Sequence, residues 1–188
     1  MSDEIFFFLL GGVLIVLATI ARVRLASFIS QSGDDYSGEY PLFKIKEHLN
    51  GKMTCDGVIF GPLGRVTSTF TADFDVSWDD NKGTIRERFT YQDSSTQERE
   101  WTLDVRADGT FDALADDVPG VGRGEISGPA VLFRYPITLP ENSGGHTLRA
   151  FDCMYLTPTG TIVNRSQFRK FGFKVAELVA TIRKKEKT

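Results

Sequence analysis

Two oppositely charged side chains fall where the pattern predicts the inside of a β protein. Glu87 shares one face of a predicted strand with Phe89 and Tyr91, and Arg99 shares one face of the next strand with Trp101. Alternate strand residues point to the same side, so both charges lie among large apolar groups. A turn that pairs Phe89 with Arg99 leaves Glu87 diagonal to the guanidinium, within reach. Buried charges need partners. This set is therefore either an internal ion pair or a polar anchor for the head group of an amphiphile.

A second polar set lies near the ends of two later strands. Asp152 precedes Asn164, Arg165 and Lys170 along the chain. The guanidinium fork and amide donors of Asn164 and Arg165 can position an anion, or they can hold the bend before Phe171. The predicted ligand-binding side chains are Glu87, Arg99, Trp101, Phe89, Tyr91, Phe74, Tyr155 and Arg165.

Signals for catalysis and for metal binding are weak. His48 and His146 are the only imidazoles, and no Ser or Cys motif accompanies either of them. The acidic turns at 79–80 and 116–117 lack the ligand spacing of a calcium loop. We therefore expect no enzymatic activity, no metal and no cofactor. The net charge of −3 also argues against a nucleic-acid partner.

An apolar run without charges, Ile5–Ala21, opens the chain. Acidic residues at 3–4 precede the run, and Arg22 and Arg24 follow it. This order of charges favours an uncleaved membrane anchor over a signal peptide, and the lack of a polar face disfavours a buried core helix. We expect a single-pass protein of a bacterial inner membrane. The arginines favour a cytoplasmic domain. Cys55 and Cys153 form either one disulfide or two reduced thiols.

Most of the remaining sequence alternates with the period of a β-strand. A linker is predicted at 27–40 and a short helix from Pro41 to Leu49. The predicted strands are 52–60, 66–78, 84–91, 99–106, 110–115, 124–127, 130–139, 147–156, 161–166 and 173–182. Short turns and the absence of crossover helices predict an all-β, up-and-down antiparallel barrel of about eight to ten strands. The predicted domains are an anchor at 1–26, a linker at 27–40 and a barrel at 41–188.

Several ordered motifs resemble a bacterial family of small envelope lipoproteins known only as a domain of unknown function. The motifs are Asn50–Gly51, Arg99–Trp101–Thr102, 115–120, 151–156, 164–166 and 170–172. The resemblance covers nearly all of Phe43–Arg183 and implies a lipocalin-like (calycin-type) barrel in the periplasm. Two features depart from the family. No lipidated Cys follows the apolar run, and Cys153 stands where a Trp is usual.

Together these patterns favour a membrane-tethered, lipocalin-like barrel that binds a lipid or another hydrophobic or amphiphilic small molecule. The alternative is a non-catalytic accessory subunit of a larger inner-membrane complex. Small residues of the apolar run, Gly11, Gly12, Ala18 and Ala21, would allow close helix packing there. The side of the membrane stays open, since the arginines predict the cytoplasm and the resemblance predicts the periplasm.

Overall fold

The computed structural model describes residues 2–141 and 144–185. Its ten strands form one closed barrel in which consecutive strands pair antiparallel and β1 pairs with β10. The strands are β1 (Gly51–Phe60), β2 (Val66–Asp79), β3 (Lys82–Tyr91), β4 (Thr96–Val105), β5 (Thr110–Leu114), β6 (Gly122–Ser127), β7 (Ala130–Thr138), β8 (Thr147–Leu156), β9 (Ile162–Lys170) and β10 (Phe173–Lys184). The predicted all-β, up-and-down barrel is confirmed, and closure removes the unpaired edges that an open sheet would expose.

Alternating side chains separate an inner from an outer face along the wall. In β2, Phe70, Ala72, Phe74 and Val76 are buried, and the residues between them are exposed. The same period-two pattern in the other strands brings large apolar groups together inside the barrel, where they form the main core. Removal of this apolar surface from water is the main force that stabilises the fold.

Glycines in the wall leave room for aromatic rings on neighbouring strands. Gly57 lies directly opposite Phe70, and Gly124 lies directly opposite Phe111. A Cβ atom on either glycine would approach the partner ring to 2.2 Å and 2.1 Å, respectively. The rings therefore cover the glycine backbone, so larger residues at these two positions would push an aromatic side chain out of the core.

A short helix, α2 (Ile45–His48), closes one end of the barrel, which we call the α2 end. Ile45 and Leu49 are buried there, and the Leu49 carbonyl accepts a hydrogen bond of 2.7 Å from Trp78 Nε1. The helix begins later than predicted, at Ile45 instead of Pro41. The reason is that the backbone N–H of Phe43 donates to the Gly128 carbonyl at 2.8 Å, which fixes this stretch to the β6–β7 turn.

The first helix, α1 (Asp3–Leu25), extends from the opposite end, which we call the α1 end. Val23 lines one outer groove together with Thr147, Lys170 and Phe171, all of which belong to that end of the wall. None of its 23 residues is buried. At about 1.5 Å per residue it is roughly 34 Å long, enough for a hydrocarbon core of about 30 Å. By length and composition it is a candidate membrane span or signal sequence.

Residues 27–40, which we predicted to be a linker, lie along the outer wall from the α1 end to the α2 end. We call this segment the strap. It contains two 3₁₀ turns, Phe28–Ser30 and Gly33–Tyr36. The backbone N–H of Gly33 donates to Glu125 Oε1 at 3.0 Å, and the Phe28 ring lies 5.2 Å from that of Phe151. The strap therefore holds α1 close to the barrel. The domain boundaries themselves stay a prediction.

Candidate functional site

The inner face of the barrel encloses a cavity of about 150 Å³. Apolar groups make up most of its wall, including Phe74, Phe89, Phe133, Met154, Phe168 and Leu178. Polar side chains interrupt this lining, and they are Glu87, Arg99, Tyr135, Asp152, Asn164 and Ser166. The site is thus an apolar chamber with one group of hydrogen-bonding residues, contributed by β3, β4, β7, β8 and β9.

Arg99 lies at the centre of the polar group. Its guanidinium stacks over the Trp101 ring, 4.1 Å from the centroid, and lies 5.4 Å from the centroid of the Tyr135 ring. Asp117, in the loop after β5, accepts a hydrogen bond from Arg99 Nε at 3.0 Å and forms a salt bridge with it. The charge of Arg99 is therefore balanced by a loop residue, and two aromatic faces hold its plane in position.

Glu87 lies directly opposite Arg99 in the β3–β4 register. The diagonal arrangement that we expected is wrong, because the turn pairs Phe89 with Gln97. An internal Glu87–Arg99 ion pair is also not formed, since Asp117 takes the guanidinium and Glu87 has no salt-bridge partner within residues 2–141 and 144–185. Burial raises the pKa of Glu87 from 4.5 to about 7, and the nearby Arg99 opposes this rise.

Asp152 has one bonded and one free oxygen. Its Oδ2 accepts a hydrogen bond of 2.8 Å from the Tyr135 hydroxyl, but its buried Oδ1 has no partner among the residues that the structure describes. Ser166, opposite Asp152 in the register, donates to Asn164 instead, at 3.0 Å. Burial raises the pKa of Asp152 above its usual value, and the nearby Ser166 and Tyr135 hydroxyls oppose this rise. An acceptor is thus left over inside the cavity.

Arg99 supplies a donor that is only partly satisfied. The buried Nη2 of Arg99 makes a short ionic contact with Asp117, at 3.0 Å, but no well-aligned hydrogen bond within the described part of the chain. Burial also raises the pKa of the Tyr135 hydroxyl, and the Asp152 charge acts in the same direction. Tyr135 therefore remains a neutral hydrogen-bond donor. Buried groups without partners are rare in native proteins and call for water or a ligand.

Five of the predicted ligand-binding residues line the cavity, namely Glu87, Arg99, Trp101, Phe89 and Phe74. Tyr91 is on the same inner face but lies in an aromatic cluster beside the cavity, with its ring centroid 6.2 Å from that of Phe70. Its hydroxyl donates to Gln97 at 2.8 Å. The alternation in β3 and β4 is clean, and for this reason the sequence identified their inner faces correctly.

Tyr155 and Arg165 are on the other side of the wall, which corrects their predicted place in the cavity. The Tyr155 hydroxyl donates to Gln31 in the strap at 2.7 Å, and the Arg165 guanidinium lies 4.4 Å from the centroid of the Phe28 ring. Arg165 also donates to Glu177 at 2.7 Å. Their apolar and aromatic surroundings come from the strap, a contact that the sequence of β8 and β9 does not reveal.

Five polar residues of the site were missing from the predicted ligand-binding set, namely Asn164, Ser166, Asp152, Tyr135 and Asp117. Asp152 and Tyr155 are three positions apart in β8 and therefore face opposite sides of the wall. The prediction placed Tyr155 inside the barrel, and this placed Asp152 outside. Tyr135 belongs to a strand that is apolar on both faces, which hides its direction. Asp117 was interpreted as part of an acidic turn. A usable signal was the single carboxylate at 152 on a strand face whose other positions, 148, 150, 154 and 156, are apolar, since such a group needs an inner polar partner.

The two cysteines are free and buried, and the wall separates them. Cys55 lines the cavity, whereas Cys153 packs on the outer face with Leu132 and Phe151. Burial raises the pKa of both thiols to about 12, so neither is an activated nucleophile. Within the described residues no three His, Cys, Asp or Glu side chains cluster as metal ligands would.

Comparisons with known proteins support the fold. A family model for a protein of unknown function, DUF3833, matches residues 22–184. The S-type phycobiliprotein lyase CPES from Guillardia theta superposes with a TM-score of 0.53 at 9% identity, over 76% of this chain and 91% of that chain. A DUF3598 protein of unknown function from Nostoc punctiforme gives a TM-score of 0.53 at 15% identity, over 78% of this chain and 51% of that chain. No curated protein sequence matches.

Proposed function

This chain belongs to the DUF3833 family of proteins of unknown function, and we propose that it is a membrane-tethered barrel that binds a small amphiphilic molecule. One observation carries the proposal: Asp152 Oδ1 is buried without a hydrogen-bond partner among the described residues, and the nearby Arg99 Nη2 makes only an ionic contact with Asp117. A ligand that satisfies both atoms would be stabilised by bonds that the folded protein has already positioned.

The size of the cavity narrows the ligand class. Its volume of about 150 Å³ is well below the roughly 300–1,000 Å³ of sites for drug-sized ligands. Engineered cavities of about 150 Å³ in other proteins hold one benzene molecule. We therefore infer that the occupant is a single ring or a short chain with one polar end. Of the ligands expected from the sequence, a lipid or another amphiphile, a complete lipid is too large for a chamber of this volume.

The charges around the cavity restrict the chemical class of the ligand's head group. Asp117, Glu87 and Asp152 outnumber the single cation Arg99, which disfavours a carboxylate ligand. An ammonium group donates hydrogen bonds but cannot accept one from Arg99. A hydroxyl or a primary amide does both. We propose a neutral alcohol or amide whose oxygen faces Arg99 and whose proton faces Asp152.

Benzyl alcohol and toluene form a matched pair of probes, because they share the ring and differ in the hydroxyl. We expect benzyl alcohol to raise the melting temperature of the full chain in detergent more than toluene does. The gain should disappear in Asp152→Asn and persist in Asp104→Asn, whose carboxylate is on the exposed outer face of β4. Equal stabilisation by both probes, or no stabilisation by either, would overturn the proposed head-group chemistry.

The tether is α1, and the support for it is a helix of sufficient length with no buried residue. Reporter enzymes fused after residue 188, one active only in the cytosol and one only outside it, test the topology. The arginines after the helix predict the cytosolic reporter, and the likeness to envelope lipoproteins predicts the other. A bacterial origin and any lipoprotein relationship stay predictions. So does the expectation that the chain is not an enzyme, since 9% identity to a lyase extends only to the fold.

An accessory role in a membrane complex is the second candidate. The observation that favours it is the open surface of α1, where no side chain and no other segment of the described chain lies within 4 Å of a Cβ placed on Gly11 or Gly12. Small residues of this kind let a second helix approach closely. Photo-crosslinking from position 12 in native membranes should capture one particular protein. Crosslinks to lipid or to a second copy of the chain alone would remove this candidate.

A further inference from the structure

Three large apolar side chains project from neighbouring turns at the α1 end. Phe171 and Phe173 flank the β9–β10 turn with exposed fractions of 90% and 76%, and Leu63 in the β1–β2 turn is 87% exposed. The two turns are adjacent because β1 pairs with β10. Single exposed apolar residues are ordinary, but a group of three at the tips of adjacent turns indicates a contact surface.

The charges around these tips are basic. The β9–β10 turn is flanked by Arg169, Lys170 and Lys174, and Arg65 and Arg149 lie on the adjoining turn and strand. Lys170 Nζ lies 5.6 Å from the centroid of the Phe171 ring. The nearest acid of β10, Glu177, is already paired with Arg165 and Lys174. The other acids of this end are Glu141 in the loop between β7 and β8, and residues 93, 116 and 117 in the loops after β3 and β5, on the other side of this end. The surface beside Phe171 thus suits an anionic partner.

The position of α1 identifies that partner. Val23 of α1 and Ile29 of the strap line one outer groove together with Lys170 and Phe171. Only two residues separate the last residue of α1, Leu25, from Phe28, which is packed against the wall. A bilayer crossed by α1 therefore has its head groups at the level of the β9–β10 turn.

We propose that the β9–β10 turn, together with Leu63, is a second membrane contact that inserts Phe171 and Phe173 into the interface of an anionic bilayer. Aromatic rings with flanking cations are the usual composition of such interfacial contacts. The inference rests on the proposed membrane anchoring by α1. It adds that the α1 end of the barrel, opposite the end that α2 closes, faces the lipid.

The test uses the full chain in liposomes with the environment-sensitive fluorophore NBD on single introduced cysteines. The sites are Phe171→Cys in the turn, Asp108→Cys at the α2 end and Gly12→Cys in α1. The chain without an added cysteine controls for Cys55 and Cys153, which are buried. In vesicles of phosphatidylcholine and phosphatidylglycerol, we expect brominated lipid to quench the labels at 171 and 12 and to leave the label at 108 unquenched.

The outcomes separate the two proposals. Quenching at 12 without quenching at 171 overturns the second contact and leaves the tether intact. A label at 12 that stays in water overturns both. The charge component is tested with Lys170→Glu in the Phe171→Cys background, with Lys82→Glu at the α2 end as the matched control. We expect the first to reduce quenching at 171 and the second to leave it unchanged; equal effects would overturn the role of the basic rim.

Discussion

Over residues 150–156 both faces of β8 are largely shielded from water, yet the polar atoms of the two faces differ in whether they have hydrogen-bond partners. On the outer face, Phe151, Cys153 and Tyr155 pack under the strap, where Gln31 accepts a hydrogen bond from the Tyr155 hydroxyl. On the inner face, Asp152 and Met154 line the cavity, and one oxygen of Asp152 has no partner within residues 2–141 and 144–185. Within one strand, the polar groups of the outer face thus have hydrogen-bond partners, and a polar atom of the inner face has none among the described residues.

The difference indicates what each face contributes. Buried contacts that satisfy one another stabilise a fold, and they leave nothing for a ligand to gain. Buried atoms without partners weaken the fold, and for this reason they are typical of binding sites. We therefore interpret the strap face as structural and the cavity face as functional. The predictions below test this division from the largest effect to the smallest.

The largest effect is expected from truncation under the strap. Phe151→Ala removes a ring that contacts Phe28 and lies 3.9 Å from the Arg134 guanidinium, so it should lower the free energy of unfolding by about 3–5 kcal/mol. Met154→Ala, next to an existing cavity, should cost about 2 kcal/mol, the low end for such changes. Chemical unfolding in detergent, followed by tryptophan fluorescence, measures both. Equal losses would remove the distinction between the two faces.

Glu87 makes the cavity face sensitive to pH. Its folded pKa of about 7 exceeds the ordinary value of 4.5, so across this interval the unfolded chain gives up a proton that the folded chain retains. Stability is therefore highest below about pH 4.5 for this group and falls by up to about 3 kcal/mol as the pH rises to about 7. The free energy of unfolding of Glu87→Gln, measured at a series of pH values, should not fall in this way between pH 4.5 and about 7. Glu98→Gln, on the exposed outer face of β4, should retain this fall.

Neutralising an acid should have different effects on the two faces. Glu177→Gln, on the outer face, weakens bonds to Arg165 and Lys174 and should cost about 2 kcal/mol. Asp152→Asn keeps an oxygen that accepts from Tyr135 and removes a buried charge, so its cost should stay below about 1 kcal/mol. The urea concentration at the midpoint of unfolding, measured at neutral pH for both variants, tests this difference. A larger loss for Asp152→Asn would mean that this carboxylate stabilises the fold.

The smallest expected effect belongs to a tyrosine hydroxyl. Tyr155→Phe removes one of two donors to Gln31, because Tyr36 also donates there, and should cost about 1 kcal/mol. It should leave the stabilisation by benzyl alcohol unchanged, since Tyr155 is outside the wall. Tyr135→Phe, the matched inner change, should reduce that stabilisation. A ligand response that depends on Tyr155 would restore the site that we first predicted from the sequence.

Much of the architecture could be predicted because its signals are local. Each predicted strand is present, with ends shifted by a few residues, and the clean alternation in β2 to β4 placed Phe74, Glu87 and Trp101 inside. The register of the β3–β4 turn was wrong, because Ser94 adopts a positive φ of 67° in a tight turn whose type the sequence did not reveal. The errors in β8 and β9 have a different origin, namely a covering segment from elsewhere in the chain.

The sequence by itself determined the all-β class, the ten strands, the candidate span and the presence of charges inside the barrel, since each follows from periodicity and composition over neighbouring residues. Only the tertiary structure decided which face of β8 meets the cavity, that residues 27–40 cover the other face, and that Arg99 pairs with Asp117. Alternation separates two faces of a strand but does not say what lies against each. That choice depends on contacts between residues far apart in the chain, such as Gln31 with Tyr155.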